Sequence, residues 1–269
     1  MKFSILFAVA ASASRLYPRA LLDQCNTSEP TVEYLAAVKE HQEQHAATGN
    51  QLFSSSSDVT KIPLYVHVVA TSENQSDGYL TKHQIHQQVA KMNTAFTDAQ
   101  YHFHLKDIDW TVNDDWANYR DQDAMKQTLR KGDYGTLNLY FQTYLGKEHR
   151  NGQCAYPTKT HQGSKTFYQD GCSIKHTTVA EGSTAIHETG HWFGLRHTFE
   201  GGCDGDGDGI DDTPASLQTF YCPQGSDTCP DQPGLDPIHN YMSYNDCRSE
   251  FTPGQVSRMH HLYKKFRQI

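Results

Sequence analysis

The spacing of apolar residues predicts alternating strands and helices in the first half of the main domain. The segments KIPLYVHVVA (61–70), YHFHLKDIDW (101–110) and TLNLYFQTYL (136–145) are rich in β-branched or aromatic residues with partial alternation, which is typical of strands. A helix is predicted between the first two strands, and a shorter one, DAMKQTLRKG, ends at Gly132 before the third. Strand, helix, strand, helix, strand is the order of a mixed α/β sheet. The apolar face of the first helix is formed by Ile85, Val89, Met92 and Phe96.

The second half begins with one more helix and then changes in texture. The segment VAEGSTAIHETGHWFGL is predicted to be helical up to Gly194, whereas residues 198–250 hold many Gly, Pro, Asp and Cys without periodicity. We expect irregular chain fixed by disulfides there. A last helix is predicted from a capping box, with Thr252 as N-cap, Pro253 in the first helical position and Gln255 in the third.

The N-terminal residues are typical of an exported chain. MKFSILFAVAASAS has one lysine, a short apolar run and an Ala-x-Ala site, so we predict a signal peptide over residues 1–13. Residues 14–58 are predicted to be a leader, with an amphipathic helix, EPTVEYLAAVKEHQEQHAA, and a Ser-rich linker. The remaining chain is predicted to form an N-terminal catalytic subdomain (59–197) and a C-terminal subdomain (198–269).

Composition narrows the classes of partner. The chain has 269 residues, 36% of them hydrophobic, which is enough for a globular core, and a net charge of −8. That charge argues against binding to nucleic acid or to an anionic membrane, and beyond the signal peptide no apolar run is long enough to span a bilayer. We therefore expect a soluble, secreted monomer.

Seven cysteines in an exported chain indicate disulfides and one residual thiol. Six of them lie after residue 150 and can form three bridges, while Cys25 stands apart. Two sequons, at Asn26 and Asn74, make glycosylation of an exported chain plausible.

The candidate chemistry lies in HETGHWFGLRH, which begins at His187. On a helix, His187 and His191 lie on one face, one turn apart, so their imidazoles can reach one zinc ion, and Glu188 is free to act as a base. His197 can join them only if the chain turns, and Gly194 is the residue suited to that turn. Three histidines leave a fourth position open, as catalytic zinc sites do.

These residues resemble a known family. The pattern H-E-x-x-H-x-x-G-x-x-H is the zinc signature of the metzincin endopeptidases. Together with GGCDGDGDGIDDTP, DTCPDQPGLDPIHNYMSY and EFTPGQVSRM, it is similar to the pappalysin family, in particular to its secreted fungal and bacterial members. The resemblance covers about residues 60–269. It implies a metzincin-like α/β domain whose horizontal cleft binds extended polypeptides along an edge strand.

The resemblance also implies roles for individual residues. Zinc would be bound by His187, His191 and His197, and Glu188 would be the general base that activates a zinc-bound water for attack on a peptide bond. Met242 would lie beneath the metal as a Met-turn, and Tyr244 would stabilise the oxyanion or be a packed core residue. Ser243 differs from the Asp that the family often carries after the methionine.

Disulfides, latency and calcium follow from the same resemblance. The family's two crossed bridges match Cys203–Cys229 and Cys222–Cys247, which leaves Cys154 to pair with Cys172. Cys25, in LLDQCNTSEPT, resembles a leader cysteine that can coordinate the zinc and keep the enzyme latent; the alternative is an incidental or intermolecular thiol. The acidic segment CDGDGDGIDD is either a calcium site or a solvated turn. The family's calcium positions match Asp208, Asp212 and Thr213.

Two other functions are alternatives to a secreted zinc endopeptidase. One is a secreted calcium-binding, disulfide-rich binding protein whose zinc site is structural or vestigial, and the other is a zinc hydrolase that acts on a non-peptide bond. A structural zinc site has no need of Glu188 beside its first ligand, so Glu188 favours the enzyme.

Overall fold

The fold is built around one five-stranded sheet. The computed structural model describes residues 24, 25, 27, 29–48 and 58–268. Its strands lie in the order β2-β1-β3-β5-β4, and all neighbours are parallel except the edge strand β4, which runs antiparallel to β5. The mixed α/β class expected from the sequence is confirmed. The strands are β1 (Thr60–Ala70), β2 (Tyr101–Val112), β3 (Leu137–Gln142), β4 (Gly152–Cys154) and β5 (Cys172–Lys175).

The described residues contain seven α-helices, of which α2, α3 and α6 contact strands of the sheet directly. Capping boxes are formed at Thr81 and Thr252, so α2 and α7 each begin at a residue whose side chain caps the helix. The helices are α1 (Val32–Thr48), α2 (Lys82–Ala95), α3 (Asp114–Ala117), α4 (Gln122–Leu129), α5 (Lys165–Gln169), α6 (Ser183–Trp192) and α7 (Pro253–Phe266).

The predicted elements of the first half are present, but some of their ends differ. The third strand ends at Gln142 rather than at Leu145. Helix α4 ends at Leu129, three residues before Gly132. The N–H of Arg130 still donates to Lys126 O, but Arg130 has a ψ of 132°, so the chain leaves the helix at this residue. The edge strand β4 and its neighbour β5 were not predicted from the pattern, since three or four residues are too few to show alternation. Cys154 faces Cys172 across this pair of strands and is bonded to it.

One apolar core joins the sheet to the C-terminal part of the chain. Side chains from β1, β2 and β3 pack with those of α2, α6 and α7, and Met242 belongs to the same cluster. Helix α6 lies against β4 and β5, which places its histidines beside the edge of the sheet. The boundary predicted near residue 197 remains a prediction.

Between α6 and α7 the chain has no helix or strand, apart from an isolated bridge between Asn240 and Glu250. Two disulfides, Cys203–Cys229 and Cys222–Cys247, cross-link this irregular segment. Each closes a loop of about 25 residues and is worth on the order of 3 kcal/mol by the chain-entropy account. The structure therefore contains the three bridges that the sequence analysis expected.

The described residues include no helix with the length and apolarity that a bilayer crossing requires. The predicted signal peptide and the sequon residue Asn26 lie outside the described residues.

Candidate metal centre

Helix α6 and the turn after it bring the three histidines together. His187 and His191 are one turn apart on α6, and the helix ends at Trp192. Gly194 then adopts a φ of 94°, in the left-handed region, and turns the chain so that His197 folds back toward the helix. A Cβ at Gly194 would lie 2.3 Å from Leu262 Cδ1, so only glycine fits the turn.

The facing nitrogens have the spacing of a shared metal ion. His191 Nε2 is 3.1 Å from His187 Nε2 and 3.2 Å from His197 Nε2. Two ligands at the usual Zn–N length and a tetrahedral angle lie about 3.4 Å apart, close to these values. All three rings are largely buried.

The backbone fixes the tautomer of two of these histidines. His187 Nδ1 donates to the carbonyl oxygen of Tyr241, and His191 Nδ1 donates to that of Leu195, each over 2.7 Å. Their Nε2 atoms therefore direct lone pairs into the same small space, which is unfavourable unless a cation lies between them. Burial lowers the pKa of His191 to about 4 and the pKa values of His187 and His197 well below the usual range, so the rings stay neutral.

Glu188 has a carboxyl group that the folded chain leaves without a partner of good geometry. The side chain is fully buried, and neither oxygen has a hydrogen bond. Burial raises the pKa of Glu188 to about 8, against smaller lowering effects of the Cys25 thiol and of two arginines, Arg248 and Arg150. A buried carboxyl group beside three histidine nitrogens is positioned to hold a reacting molecule rather than to stabilise the fold.

Cys25 approaches the same space from the leader. Its sulfur and the three histidine nitrogens all lie within 4.8 Å of one another. The thiol is buried and is not part of a disulfide. Backbone hydrogen bonds hold the segment there, because Gln24 O accepts from Asn151 N (2.8 Å) and Gly152 N (3.2 Å) at the start of β4. The structure thus places a sulfur atom, a soft metal ligand, close to the three histidine nitrogens.

Tyr244 lies between the histidines and the leader. Its hydroxyl accepts from Cys25 N (3.1 Å), donates to Cys25 O and is 3.3 Å from His197 Nε2. The ring is buried and packs against the rings of His187 and Phe199. This position is compatible with both expected roles of Tyr244. Its ring is packed in the core, and its hydroxyl lies close to the histidine nitrogens.

Met242 is buried beneath α6. Its sulfur lies 2.4 Å from the point where a Cβ on Gly190 would be, so the helix backbone rests directly on the methionine. Met242 O also accepts from Thr198 N, which follows the third histidine. Met242 therefore contacts the helix between His187 and His191 and also the residue that follows His197.

The acidic loop does not gather its carboxylates into a cluster. Asp208 Oδ1 accepts from Thr213 Oγ1 (2.7 Å) and Ile210 N, but Asp212 Oδ2 accepts from Gly254 N at the start of α7. Within the described residues, the group of three or more His, Cys, Asp or Glu with metal-ligand spacing is the one at Cys25 and the histidines. Asp208 Oδ2 is buried without a partner, and burial raises the pKa of Asp208 to about 7.

Three residues of the site were not found from the sequence. A Cβ on Gly152 would lie 2.2 Å from Glu188 Oε1, so this glycine makes room for the carboxyl group. Arg248 donates to Ser183 Oγ (2.7 Å) and Glu181 Oε1 at the start of α6. Arg267 donates to Trp192 O at the other end of that helix. No local pattern in the sequence indicates such long-range contacts.

The sequon residue Asn74 is exposed in the turn after β1.

Comparison with known proteins places the chain in a family. Residues 118–264 match the model of peptidase family M43, described as pregnancy-associated plasma protein-A. The match covers more than half of the chain and includes all three histidines, Glu188 and Met242. The chain belongs to this family, the pappalysins.

Curated relatives extend the match to most of the chain. An extracellular metalloprotease of Colletotrichum graminicola is 44% identical over 254 residues, with 90% of each chain covered. One from Neurospora crassa is also 44% identical, over 90% of this chain and 88% of its own. One from Pyricularia oryzae is 44% identical over 98% of this chain and 96% of its own. Metalloproteinase-II from Bacteroides fragilis has a TM-score of 0.47 at 10% identity, covering 76% of this chain and 53% of its own, too distant to argue from.

Proposed function

We propose that this pappalysin is a secreted zinc-dependent endopeptidase that hydrolyses extracellular polypeptides. The observation that carries the proposal is the convergence of three histidine rings, with His191 Nε2 3.1 Å from His187 Nε2 and 3.2 Å from His197 Nε2, next to the buried carboxyl group of Glu188, which has no hydrogen bond to the described residues. Nitrogen donors at this spacing suit zinc. The relatives described as extracellular metalloproteases support the same activity and the same location.

The protein residues divide the work between holding and moving a proton. His187, His191 and His197 would hold the zinc, with two of the rings oriented by backbone carbonyls. Zinc in such a site supplies a Lewis acid and makes water more acidic. Glu188 would take the proton of the attacking water and deliver it to the leaving amine. Tyr244 would donate a hydrogen bond to the developing oxyanion once the leader no longer occupies its hydroxyl.

The substrate would be an extended polypeptide bound along the edge strand β4. The leader supports this assignment, because its residue Gln24 already accepts backbone hydrogen bonds from Asn151 and Gly152 at that edge. Such pairing needs only main-chain groups, so it suits substrates of varied sequence. Gly152 keeps the edge close to Glu188.

The described part of the leader would hold the enzyme latent. Cys25 Sγ lies within 4.8 Å of the three histidine nitrogens and would take the fourth position, and the backbone of Cys25 exchanges two hydrogen bonds with the Tyr244 hydroxyl. A thiolate in that position would exclude the water that hydrolysis needs. Removal of residues 14–58 would therefore activate the enzyme.

Calcium binding by the acidic loop is a separate part of the proposal. Its support is the unpartnered, buried Oδ2 of Asp208, which lies on the same carboxylate that Thr213 contacts. Asp212 is engaged with Gly254, so the remaining ligands would be backbone carbonyls and water. A signal peptide at 1–13, the subdomain boundary near 197, a monomeric state and glycosylation at Asn74 also remain proposals.

The proposal is tested by digestion of an unfolded protein. The chain is secreted, its leader is removed, and hydrolysis is followed before zinc chelation, after it, and after zinc is restored. We expect hydrolysis that is lost with the chelator and regained with zinc. No hydrolysis in any of these states would favour the alternative, a calcium-binding, disulfide-rich binding protein with a structural zinc site.

A further inference from the structure

The leader helix α1 is docked on α7 through an interface with a histidine at its centre. Tyr34, Ala37 and Val38 are buried against Tyr156 and Leu262. One turn further along α1, the His41 ring is only 4% exposed. Apolar side chains thus form one part of this interface, and His41 makes buried polar contacts with α7.

Both nitrogens of His41 are used by α7. Arg258 Nε donates to His41 Nδ1 over 3.1 Å, and His41 Nε2 lies 3.0 Å from Ser257 Oγ. A guanidinium can only donate, so Nδ1 must accept and the ring must be neutral, with its proton on Nε2. Protonation of Nδ1 would remove this hydrogen bond and leave two cations in contact.

Among the described residues, no carboxylate is bonded to His41 that could stabilise the charge of a protonated ring. On α7, the ring of His261 is 5.3 Å from that of His41, and on α1 the ring of His45 is 6.0 Å away. The acidic loop reaches this place through Asp211, whose carboxylate is 3.9 Å from His45 rather than bonded to His41. Asp208 of the same loop acts on Arg258. A cavity of about 330 Å³, lined by His41, His45 and Arg258, lies beside this group of side chains.

We propose that the surface of α7 around Ser257 and Arg258 is a helix-binding site that accepts α1 only while His41 is neutral, so that mild acid releases the leader helix. The inference rests on the proposed role of the leader but concerns docking and not hydrolysis. The partner that fits is an amphipathic helix with an apolar face one turn before an uncharged imidazole. Acid would act in addition to proteolytic cutting of the leader.

The size of the effect follows from linkage. Burial, and next to it the charge of Arg258, lower the pKa of His41 to about 3, whereas a released helix regains a value near 6.5. The docked state binds fewer protons, so docking is strongest above pH 6.5 and weakens as the pH falls. Between pH 7.5 and 5.0 the equilibrium constant for release should rise by about thirtyfold.

An ionic contact between α1 and α7 sets the lower pH limit of the measurement. Glu40 is paired with Lys265 of α7, and hydrogen bonding to this lysine lowers the pKa of Glu40, so the pair stays ionised above pH 5. Working above pH 5 therefore isolates the histidines. The pKa of His261 is also lowered by burial, so it contributes in the same direction as His41, to a smaller extent.

The experiment is hydrogen–deuterium exchange of the full-length chain between pH 7.5 and 5.0, read on peptides that cover residues 32–48 and corrected for intrinsic exchange. In the wild type, protection of α1 should fall about thirtyfold. His41→Gln keeps one acceptor and one donor but cannot be charged at these pH values, so its protection should fall less than about fivefold. His45→Gln, one turn away, is the matched control and should behave as the wild type does.

Two results would overturn the proposal. One is a wild-type α1 whose protection does not change with pH, which needs no variant to observe. The other is a His41→Gln chain that is docked at pH 7.5 and still loses protection thirtyfold. If α1 loses protection at low pH as expected but the chain never hydrolyses protein, the proposed function is wrong and the proposed docking site is still supported.

Discussion

The phenol of Tyr34, on the leader helix, donates a 2.9 Å hydrogen bond to the carbonyl oxygen of Gly194. Gly194 is the residue that turns the chain between His191 and His197, so the leader is bonded to the backbone of the zinc motif itself. Together with Cys25 at the cluster and His41 on α7, this contact ties the leader to the catalytic body at three separate points. If the leader keeps the enzyme latent, as we propose, activation has to break all three of these contacts, and a single cut after α1 leaves them in place.

Replacement of the leader thiol should give activity to the uncut chain. In Cys25→Ala, the fourth position of the cluster has no sulfur, although the hydrogen bonds of the segment to Tyr244 and β4 remain. We expect the full-length variant to hydrolyse a peptide at least about tenfold faster than the full-length wild type, by analogy with loss of one ligand of a closed zinc site. Glu29→Gln, an exposed position in the same segment, is the control and should stay latent. Equal latency of Cys25→Ala would argue against a thiol switch.

Gly152 should be needed for activity more than for stability. A methyl group there would meet the end of the Glu188 side chain, which can move aside, but only by leaving its position. A displacement of about 1 Å can cost on the order of 100-fold in rate. We expect Gly152→Ala, after leader removal, to lose about that much kcat/KM while its melting temperature stays within a few degrees. A variant with wild-type kcat/KM would show that Glu188 does not act from this position.

Gly190→Ala tests the packing of Met242 against α6, because we expect this substitution to lower stability, whereas glycine to alanine in a helix usually raises it. Glycine to alanine inside a helix normally stabilises by about 1 kcal/mol. Here the added methyl group would meet the Met242 sulfur, and overpacking of this kind costs about 1–3 kcal/mol. Urea denaturation of Gly190→Ala should show a net loss of stability. A gain would mean that Met242 is not packed against α6 as described.

A buried carboxylate should govern the acid stability of the catalytic body. Asp170 is 1% exposed and is bonded to Arg267 (2.9 Å) and Trp192, with Arg130 at 3.3 Å. Burial raises the pKa of Asp170, but the two arginines and these hydrogen bonds outweigh it and lower the value below 3.8. Its contribution to stability is thus present above about pH 4 and is lost as the pH falls through the lowered pKa.

Removal of this charge is the corresponding experiment. Asp170→Asn should cost about 3–5 kcal/mol at pH 7, because it leaves the arginines buried without their counter-charge. Its stability should also depend less on pH than that of the wild type when urea denaturation is followed below pH 4. Asp123→Asn, an exposed carboxylate on α4, is the control and should change stability by less than about 0.5 kcal/mol. A variant as stable as the wild type would contradict the assignment.

The parts of the site that could be predicted from sequence are those with local causes. The spacing of His187 and His191 follows from the helical period, and the positive φ of Gly194 follows from the need to return His197 to the same point. The capping box at Thr252 is likewise a property of four neighbouring residues. Each of these features is fixed by residues that are close in the chain, which is why the pattern shows them.

The parts that could not be predicted depend on residues far apart in the chain. Gly152 is 36 positions from Glu188 and Asp170 is 97 from Arg267, and neither spacing leaves a periodic signal. The edge strand β4 has three residues, so its existence is set by pairing with β5 and the Cys154–Cys172 bond rather than by its own pattern. His41 was one of sixteen histidines until its neighbours on α7 were known.

The most direct test of the central claim compares leader-free wild type with leader-free Glu188→Gln at equal zinc content. The amide keeps the size of the carboxyl group but cannot accept the proton of the attacking water. We predict one zinc ion per chain in both proteins and a loss of kcat/KM of about 100- to 10,000-fold in the variant, the range of general acid–base catalysis. A Glu188→Gln protein that binds zinc and cleaves the peptide within tenfold of the wild-type rate would contradict the assignment of Glu188 as the base.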